Sequence, residues 1–229
     1  LYIGGLDVWR TVDGFVTNPV KISNLVKNDQ THIAIKTIRE AKSNSNVLYV
    51  ARNNPHWNCD ENTPNCDRRR LFKTMNGLSD TPEWIDITPS TTCVPLGEAA
   101  ISDLAVNPYN AHEFYISMTR GIPGKQVYKG SGTSTISWES ISSGLPALPV
   151  NCLLYRYGST LNELFAGTDA GVYYRNDSLD SWVPFGNGMP LTVISDLEID
   201  YATNELYAST FGRGIYKASL CFDPGQIDP

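Results

Sequence analysis

The sequence has few charged residues, few histidines and no long apolar run. Asp, Glu, Lys and Arg make up only 18 % of the 229 residues, hydrophobic residues make up 41 %, and His occurs three times. That balance indicates a folded chain and excludes a disordered one. No apolar run approaches the roughly 18 residues that span a bilayer as a helix, so no transmembrane segment is predicted. Long amphipathic helical patterns are also absent.

Basic residues are outnumbered by acidic ones, 18 to 24, for a formal net charge of -6. A face that binds phosphates needs clustered Lys and Arg, so nucleic acid is not expected as a partner. The one basic run, Arg68 to Arg70, follows Asp60, Glu61 and Asp67, which are expected to neutralise it locally.

The usual cofactor and nucleophile motifs are missing. Gly130-Ser131-Gly132 lacks the third Gly and the following helix of a dinucleotide site, and no Gly-x-Ser-x-Gly elbow occurs. His32, His56 and His112 are scattered without metal-ligand spacing. No cofactor and no metal site are therefore predicted. Calcium binding to acidic loop residues around position 60 is the one exception considered, because calcium takes oxygen ligands, but no ordered ligand spacing supports it.

Five cysteines are present, and two of them bracket a short polar loop. Cys59 and Cys66 enclose a turn-forming segment with a Pro and two Asn, which favours a disulfide and hence an oxidising compartment. A zinc site is the alternative, but only His56 lies near. A second pair, Cys93 with Cys152, would leave Cys221 unpaired, and spacing alone does not decide between connectivities.

Internal repeats decide the fold class. Residues 101–106 (ISDLAV) and 194–199 (ISDLEI) are nearly superposable, and each is followed by a turn and an apolar-aromatic strand, EFYIS or ELYAS. Residues 150–166 and 35–51 repeat the plan. A third strand then centres on an aromatic residue, and three units continue into a fourth strand that opens with Trp. The third-strand aromatics are Trp9, Phe72, Tyr128, Tyr173 and Tyr216, and the fourth-strand residues are Trp84, Trp138 and Trp182.

Units of about 42 to 50 residues with four short strands are typical of β-propeller blades. The predicted fold class is therefore all-β, a β-propeller of four-stranded antiparallel blades forming a partial ring. About five blades are seen; the first lacks its inner strand and the last its outer strand. The predicted boundaries are 1–28 (partial blade), 29–92 (blade with an insertion at 53–70), 93–146, 147–190 and 191–220 (partial final blade).

The turns between third and fourth strands resemble the Asp-box, Ser/Thr-x-Asp-x-Gly-x-Thr-Trp. Thr11-Val12-Asp13-Gly14 and Thr74-Met75-Asn76-Gly77 look like shortened copies, and residues 129–132 and 176–178 look like more decayed ones. Asp13 and Asn76 are interpreted as structural, because Asp or Asn on such a turn accepts backbone N–H bonds and Gly supplies positive φ.

The segment from Leu206 to Tyr216, LYASTFGRGIY, is similar to the closing blade of BNR/sortilin-like propellers in large secreted proteins of Bacteroidota. The resemblance covers nearly the whole chain apart from 53–70. It implies an extracellular or bacterial outer-membrane location, with 221–229 as a linker toward a C-terminal sorting domain of the type IX secretion kind. The chain starts without Met or a signal peptide and is interpreted as a piece of a longer protein.

Candidate ligand-binding residues lie on the rim formed by the 2–3 loops, where propellers usually meet ligands. These loops carry Asp7, Arg120, Asp169 and Arg213, and the insertion adds Arg52, His56 and Trp57. Trp57 is a candidate for stacking on a sugar or anchoring an interface, with packing inside its own loop as the alternative. For Arg213 the alternative is a salt bridge between blades.

Polar residues also recur at the start of the inner strand, at Thr37, Asp103, Asn151 and Asp196. They are expected either to line the channel or to bond neighbouring blades. Asp103 and Asp196 form the best pair of carboxylates for glycoside hydrolysis. A complete sialidase constellation is not visible.

Two functions follow as hypotheses. The first is a secreted or cell-surface, non-catalytic propeller that binds glycan or protein, as part of an adhesin or a multi-component surface complex. The second is a fragment of a sialidase- or xyloglucanase-like glycoside hydrolase. Fold alone does not decide between them.

Overall fold

The computed structural model describes residues 1–25, 33–53, 69–90, 94, 99–186 and 188–220. In this part of the chain there is no helix, and 18 short strands form five separate antiparallel sheets. Each sheet is a meander in which strands adjacent in sequence pair with each other. The predicted all-β partial propeller is confirmed.

The first two sheets are named blades 1 and 2. Blade 1 has three strands and blade 2 has four. The strands are β1 (Tyr2–Gly4), β2 (Val8–Arg10) and β3 (Val20–Lys21), then β4 (Ile35–Ala41), β5 (Asn44–Arg52), β6 (Leu71–Thr74) and β7 (Trp84–Asp86).

Blades 3 and 4 have four strands each, and blade 5 has three. Blade 3 consists of β8 (Ile101–Val106), β9 (Glu113–Met118), β10 (Val127–Ser131) and β11 (Ser137–Ser140). Blade 4 consists of β12 (Val150–Tyr155), β13 (Leu164–Thr168), β14 (Gly171–Arg175) and β15 (Val183–Phe185), and blade 5 of β16 (Ile194–Asp200), β17 (Glu205–Thr210) and β18 (Ile215–Ser219).

The inner strands β4, β8, β12 and β16 share a register shift at their second residue. Such a bulge places one extra residue opposite the neighbouring strand and re-aims the side chains around it. The shift makes Thr37, Asp103, Cys152 and Asp196 equivalent. The predicted match of Asn151 to this set is therefore wrong by one residue, and Asn151 corresponds instead to Ser102 and Ser195.

Small residues mark the position on the second strand that faces the next blade. A Cβ added to Gly4 would lie 2.8 Å from Ile35 Cγ2, and one added to Gly167 would lie 2.7 Å from Ile194 Cγ2. The same register position holds a small residue in every blade, and in blades 1 to 4 the inner strand of the next blade packs against it. The set is Gly4, Ala51, Ser117, Gly167 and Ser209.

The hydrophobic core lies between the blades. Four clusters of buried side chains each join two consecutive blades. In the cluster between blades 3 and 4, for example, Val127 and Val150 are wholly buried and Trp182 is 2 % exposed. Burial of apolar surface, at roughly 25 cal/mol per Å², thus stabilises the stacking of blades rather than any single sheet.

Cys152 is a free, buried thiol on β12. It packs where a Cβ on Gly167 would touch its sulfur, and burial raises its pKa. The considered pairing of Cys93 with Cys152 is therefore wrong.

Candidate functional site

Asp103, the first of the two candidate catalytic carboxylates, is held between three blades. It lies on the inner strand of blade 3 and is 8 % exposed. Its Oδ1 accepts a hydrogen bond from Arg39 Nη2 of blade 2 at 2.8 Å, and its Oδ2 accepts one from Leu153 N of blade 4 at 3.0 Å. Arg39 Nε also donates to Leu104 O. Both oxygens of this carboxylate thus bind groups of neighbouring blades.

Burial raises the pKa of Asp103, and the positive charge of Arg39 and the N–H of Leu153 only partly oppose that effect. The charge of Asp196 raises it further. The charges of both carboxylates also contribute to the raised pKa of the buried Cys152 thiol. Asp103 and Asp196 are therefore close enough for the charge of one to affect the pKa of the other, and their catalytic role stays a prediction.

Asp196 itself is exposed on blade 5, where its Oδ1 accepts a hydrogen bond from Leu197 N at 2.9 Å. The two carboxylates therefore differ: one is buried among protein partners and one faces solvent. A buried carboxyl with a raised pKa near a second, exposed carboxyl is the arrangement that acid–base catalysis uses. The same difference also arises without catalysis, because Asp103 and Asp196 occupy one repeated blade position and, in the described part of the chain, only Asp103 has a following blade packed against it.

The predicted binding residues on the 2–3 loops do not form one cluster of similar groups. Asp7 is buried, where it accepts hydrogen bonds from Ser23 Oγ and Leu25 N and pairs with Lys21. Asp169 accepts a hydrogen bond from Asn151 Nδ2 at 2.9 Å. These two acidic groups are thus engaged inside their own blades.

Arg120 and Arg213 are exposed on blades 3 and 5, two blades apart. Arg52, in contrast, is wholly buried, and its guanidinium donates to the backbone carbonyls of Leu25 and Ile33. Arg52 therefore has a structural role, since it joins the chain around Leu25 and Ile33 by hydrogen bonds. Arg120 and Arg213 lie at the surface and stay ligand candidates.

The two clearest Asp-box-like turns have the same hydrogen bonds. Thr11 Oγ1 donates to Asp13 Oδ1 at 2.8 Å, and Thr74 Oγ1 donates to Asn76 Oδ1 at 2.9 Å. The second oxygen of Asp13 accepts from Thr17 N, and the side-chain oxygen of Asn76 also accepts from Glu83 N. The structural role of Asp13 and Asn76 stays a prediction, and these contacts support it.

Several predicted sites lie outside the described residues. They are His56 and Trp57, the Cys59–Cys66 pair, the acidic loop residues Asp60, Glu61 and Asp67, Cys93 and Cys221, and the linker 221–229. Within the described part, no group of three or more His, Cys, Asp or Glu is arranged to hold a metal ion. The same part contains no helix that is long and apolar enough to cross a membrane.

A cluster of three tyrosines lies on the opposite rim, and the sequence analysis missed it. Tyr109, Tyr157 and Tyr201 occupy the turns that follow the inner strands of blades 3, 4 and 5. The rings of Tyr109 and Tyr157 stack with centroids 5.8 Å apart at 21°, and Tyr201 meets Tyr157 edge-on at 6.4 Å. Lys42, from the equivalent turn of blade 2, places its Nζ 4.8 Å from the Tyr157 ring centroid. We call these four residues the tyrosine platform.

The tyrosine platform is both exposed and rigidly held. Its three tyrosines are 52 %, 48 % and 47 % exposed in chain order. The hydroxyl of Tyr109 accepts a hydrogen bond from Gly158 N at 2.7 Å, and that of Tyr201 accepts one from Tyr157 N at 2.9 Å. The turn of blade 4 is thus fixed by aromatic side chains from both of its neighbours. The sequence signal was a Tyr in each of three aligned turns.

Comparisons with solved structures identify the fold. A GH74 xyloglucanase from Xanthomonas campestris matches with a TM-score of 0.62 and 14 % identity, over 93 % of this chain and 33 % of that one. The extracellular domain of a putative one-component system from B. thetaiotaomicron matches with a TM-score of 0.56 and 17 % identity, over 94 % and 25 %. A gluconolactonase from X. campestris matches with a TM-score of 0.58 and 12 % identity, over 93 % and 64 %.

The chain thus spans between a quarter and two thirds of the length of these proteins. At such identities the likeness shows the fold, and the three proteins differ in what they do. No protein-family model matches the sequence, and no curated protein does so either.

Proposed function

We propose that this chain is a secreted or cell-surface, non-catalytic β-propeller module that binds glycan or protein, as a component of an adhesin or a surface complex. The observation that carries the proposal is the engagement of Asp103. Its two oxygens bind Arg39 and Leu153 N across two blade junctions, so the Asp103 carboxyl has no free oxygen to turn toward a substrate.

An extracellular setting is supported by two of the structural neighbours, one of which is described as an extracellular domain and another as a xyloglucanase. We also propose membership of the Asp-box repeat group, on the matching hydrogen bonds of Asp13 and Asn76. The ligand candidates on the 2–3 rim remain His56, Trp57, Arg120, Asp169 and Arg213.

Incubation of the chain with xyloglucan and with a sialylated oligosaccharide tests the proposal, with new reducing ends or free sialic acid as the readout. We expect no release above a boiled-protein control. Hydrolysis by the wild type that disappears in both Asp103→Asn and Asp196→Asn would establish the hydrolase hypothesis instead. Circular dichroism of each variant, recorded at the assay temperature, separates loss of activity from loss of fold.

Binding is measured on a glycan array and by capture on immobilised cell-surface extracts, for the wild type and for Trp57→Ala. Retention on either surface is expected for the wild type. Unchanged binding by Trp57→Ala would remove Trp57 from the ligand candidates. Absence of binding to both surfaces would contradict the proposed function.

A further inference from the structure

The tyrosine platform is an exposed aromatic surface to which the proposed function assigns no role. The 2–3 and 4–1 connections form one rim of the propeller, and the 1–2 turns that carry the platform lie on the other. Lys42 of blade 2 reaches the rings of Tyr157 and Tyr201, which belong to blades 4 and 5, at 4.8 and 5.7 Å. Turns from four blades therefore converge on one spot at the inner ends of the blades.

We infer that the tyrosine platform is a binding site for a glycan, whose pyranose ring packs on the exposed aromatic surface of the three tyrosines and whose polar substituents meet Lys42. The inference rests on the proposed binding function and names its ligand class and its surface. It places the site on the rim opposite the one that carries Arg120 and Arg213.

The geometry suits a saccharide in two respects. A pyranose presents an apolar C–H face, and a rigid aromatic ring offers a flat surface against it at low conformational cost. Tyr109 and Tyr201 are held in place by backbone N–H groups, so the stacking surface exists before a ligand arrives. Preorganisation of this kind removes the entropic cost of ordering the rings on binding.

The border of the platform supplies the polar partners that sugar hydroxyls need. The same turns expose hydroxyl and amide side chains, and Lys42 adds three N–H donors. A proline-rich peptide, the other ligand that docks on aromatic surfaces, uses a groove lined by aromatic side chains. The near-parallel Tyr109 and Tyr157 rings form a stack instead of such a groove. The exposed polar residues of the turns are Ser43, Asn110, Thr160 and Thr203.

Tyr157→Ala is the appropriate test variant. The hydrogen bond that Tyr157 makes to Tyr201 uses its backbone N, so truncation of the side chain leaves that bond in place. Alanine at Tyr109 or Tyr201 would instead remove a hydroxyl that a turn depends on. Tyr157→Phe keeps the ring, and Lys42→Met keeps the length of the side chain while it removes the charge.

Phe211→Ala is the matched control. Phe211 is 81 % exposed and lies on the β17–β18 turn of blade 5, at the opposite rim. It therefore removes a similarly exposed aromatic ring without touching the platform.

Affinity electrophoresis and titration calorimetry of the 229-residue chain with neutral xyloglucan, polygalacturonate and a proline decapeptide test the inference. We expect binding to at least one polysaccharide, weakened at least about tenfold in Tyr157→Ala and retained in Tyr157→Phe and Phe211→Ala. Polygalacturonate binding that is lost in Lys42→Met would identify an acidic sugar as the ligand. Xyloglucan binding that is retained in Lys42→Met, in a chain that does not bind polygalacturonate, would identify a neutral one.

Three results would overturn the inference. They are polysaccharide binding that is unchanged in Tyr157→Ala, binding that is lost in Phe211→Ala, and binding of the proline decapeptide alone. In each of these cases the proposed binding function survives, because the chain still binds a ligand. Failure of the proposed function itself is different: it would appear as hydrolysis, or as no binding on any surface.

Discussion

Lys73 is a cation that the fold buries completely at the junction of blades 2 and 3. Its Nζ lies 2.7 Å from Gly132 O and 3.0 Å from His112 Nδ1, and 5.1 Å from the Tyr49 ring centroid. Because Nζ donates, His112 Nδ1 has to accept, which assigns the imidazole proton to Nε2. Burial, together with the charge of Lys73, lowers the pKa of His112.

Lys73→Met is predicted to change how the free energy of unfolding depends on pH. Burial lowers the pKa of Lys73 to about 8, whereas an unfolded Lys titrates near 10.4. Below pH 8 both states hold the proton. Above it the folded state releases the proton first, so the free energy of unfolding rises with pH relative to the Met variant, by about 1 kcal/mol between pH 7 and pH 9.

Urea unfolding of both proteins at several pH values gives this difference directly. The tyrosines are common to both proteins, so their contribution cancels. A difference that stays constant from pH 7 to pH 9 would mean that Lys73 is not desolvated.

Gly167→Ala is predicted to destabilise the chain by about 1 to 3 kcal/mol. The added methyl group would meet the Cys152 sulfur and lie 2.7 Å from Ile194 Cγ2, so blades 4 and 5 would have to separate. Gly5→Ala is the control, since the nearest atom to its added Cβ is 4.0 Å away. Thermal unfolding followed by circular dichroism compares the two, and equal midpoints would contradict close packing at Gly167.

At the scale of the strand, two of the fourth-strand tryptophans link their blade to the one before. Trp84 Nε1 donates to Ile22 O at 2.8 Å, and Trp182 Nε1 donates to Ile141 O at 2.6 Å. Trp138 instead meets Phe114 of its own blade edge-on at 5.5 Å. At Trp84 and Trp182 the recurrent Trp thus has a reason beyond strand propensity: it closes a blade junction with a hydrogen bond.

Trp182→Phe should cost about 1 to 3 kcal/mol, because it leaves Ile141 O unpaired in the core between blades 3 and 4. Trp138→Phe should cost less, since its ring packing is largely kept. Chemical unfolding of both variants is the measurement. A larger loss for Trp138→Phe would show that ring volume matters more than the hydrogen bond.

The strands were predictable because their pattern is local and repeated. Alternation, turn residues and the aligned aromatics of β6, β10, β14 and β18 all depend on neighbours in sequence. The register within the inner strands was not predictable. The bulge that makes Cys152 equivalent to Asp103 adds one residue, and no pattern of polar and apolar residues indicates where that residue lies. The burial of Lys73 was also unpredictable from the sequence, because its partners His112 and Gly132 lie in the next blade.

The site was predictable only in part for a related reason. Charged residues on the 2–3 loops were predicted to meet a ligand because charged side chains are usually exposed, but Asp7 and Arg52 are buried. The tyrosine platform was present as a Tyr in three aligned turns. Its significance depends on the convergence of those turns in space, which alignment of the repeats alone does not give.

At the scale of the whole molecule, Asp103 joins blades 2, 3 and 4 through one carboxylate. Asp103→Asn is predicted to lower stability by about 1 to 3 kcal/mol, because an amide has one acceptor oxygen and its NH2 group would face the second donor, either Arg39 Nη2 or Leu153 N. Asp196→Asn, at the equivalent but exposed position, should leave stability within about 0.5 kcal/mol. Equal effects in urea unfolding would show that the position matters for its strand and not for the junction.

Blades 3 and 5 carry the same three residues on the face that looks toward the next blade. In blade 3, the Ser102 hydroxyl forms hydrogen bonds with Ser117 Oγ and Val150 O, and the Asp103 carboxylate accepts one from Leu153 N. In blade 5, the corresponding Ser195 bonds Ser209, and Asp196 faces solvent. Among the residues that the structure describes, Ser195 and Asp196 therefore lack the two backbone partners that their counterparts have in blade 3. Those partners are a carbonyl oxygen for the serine and an N–H three residues later for the aspartate, which Val150 and Leu153 supply to Ser102 and Asp103.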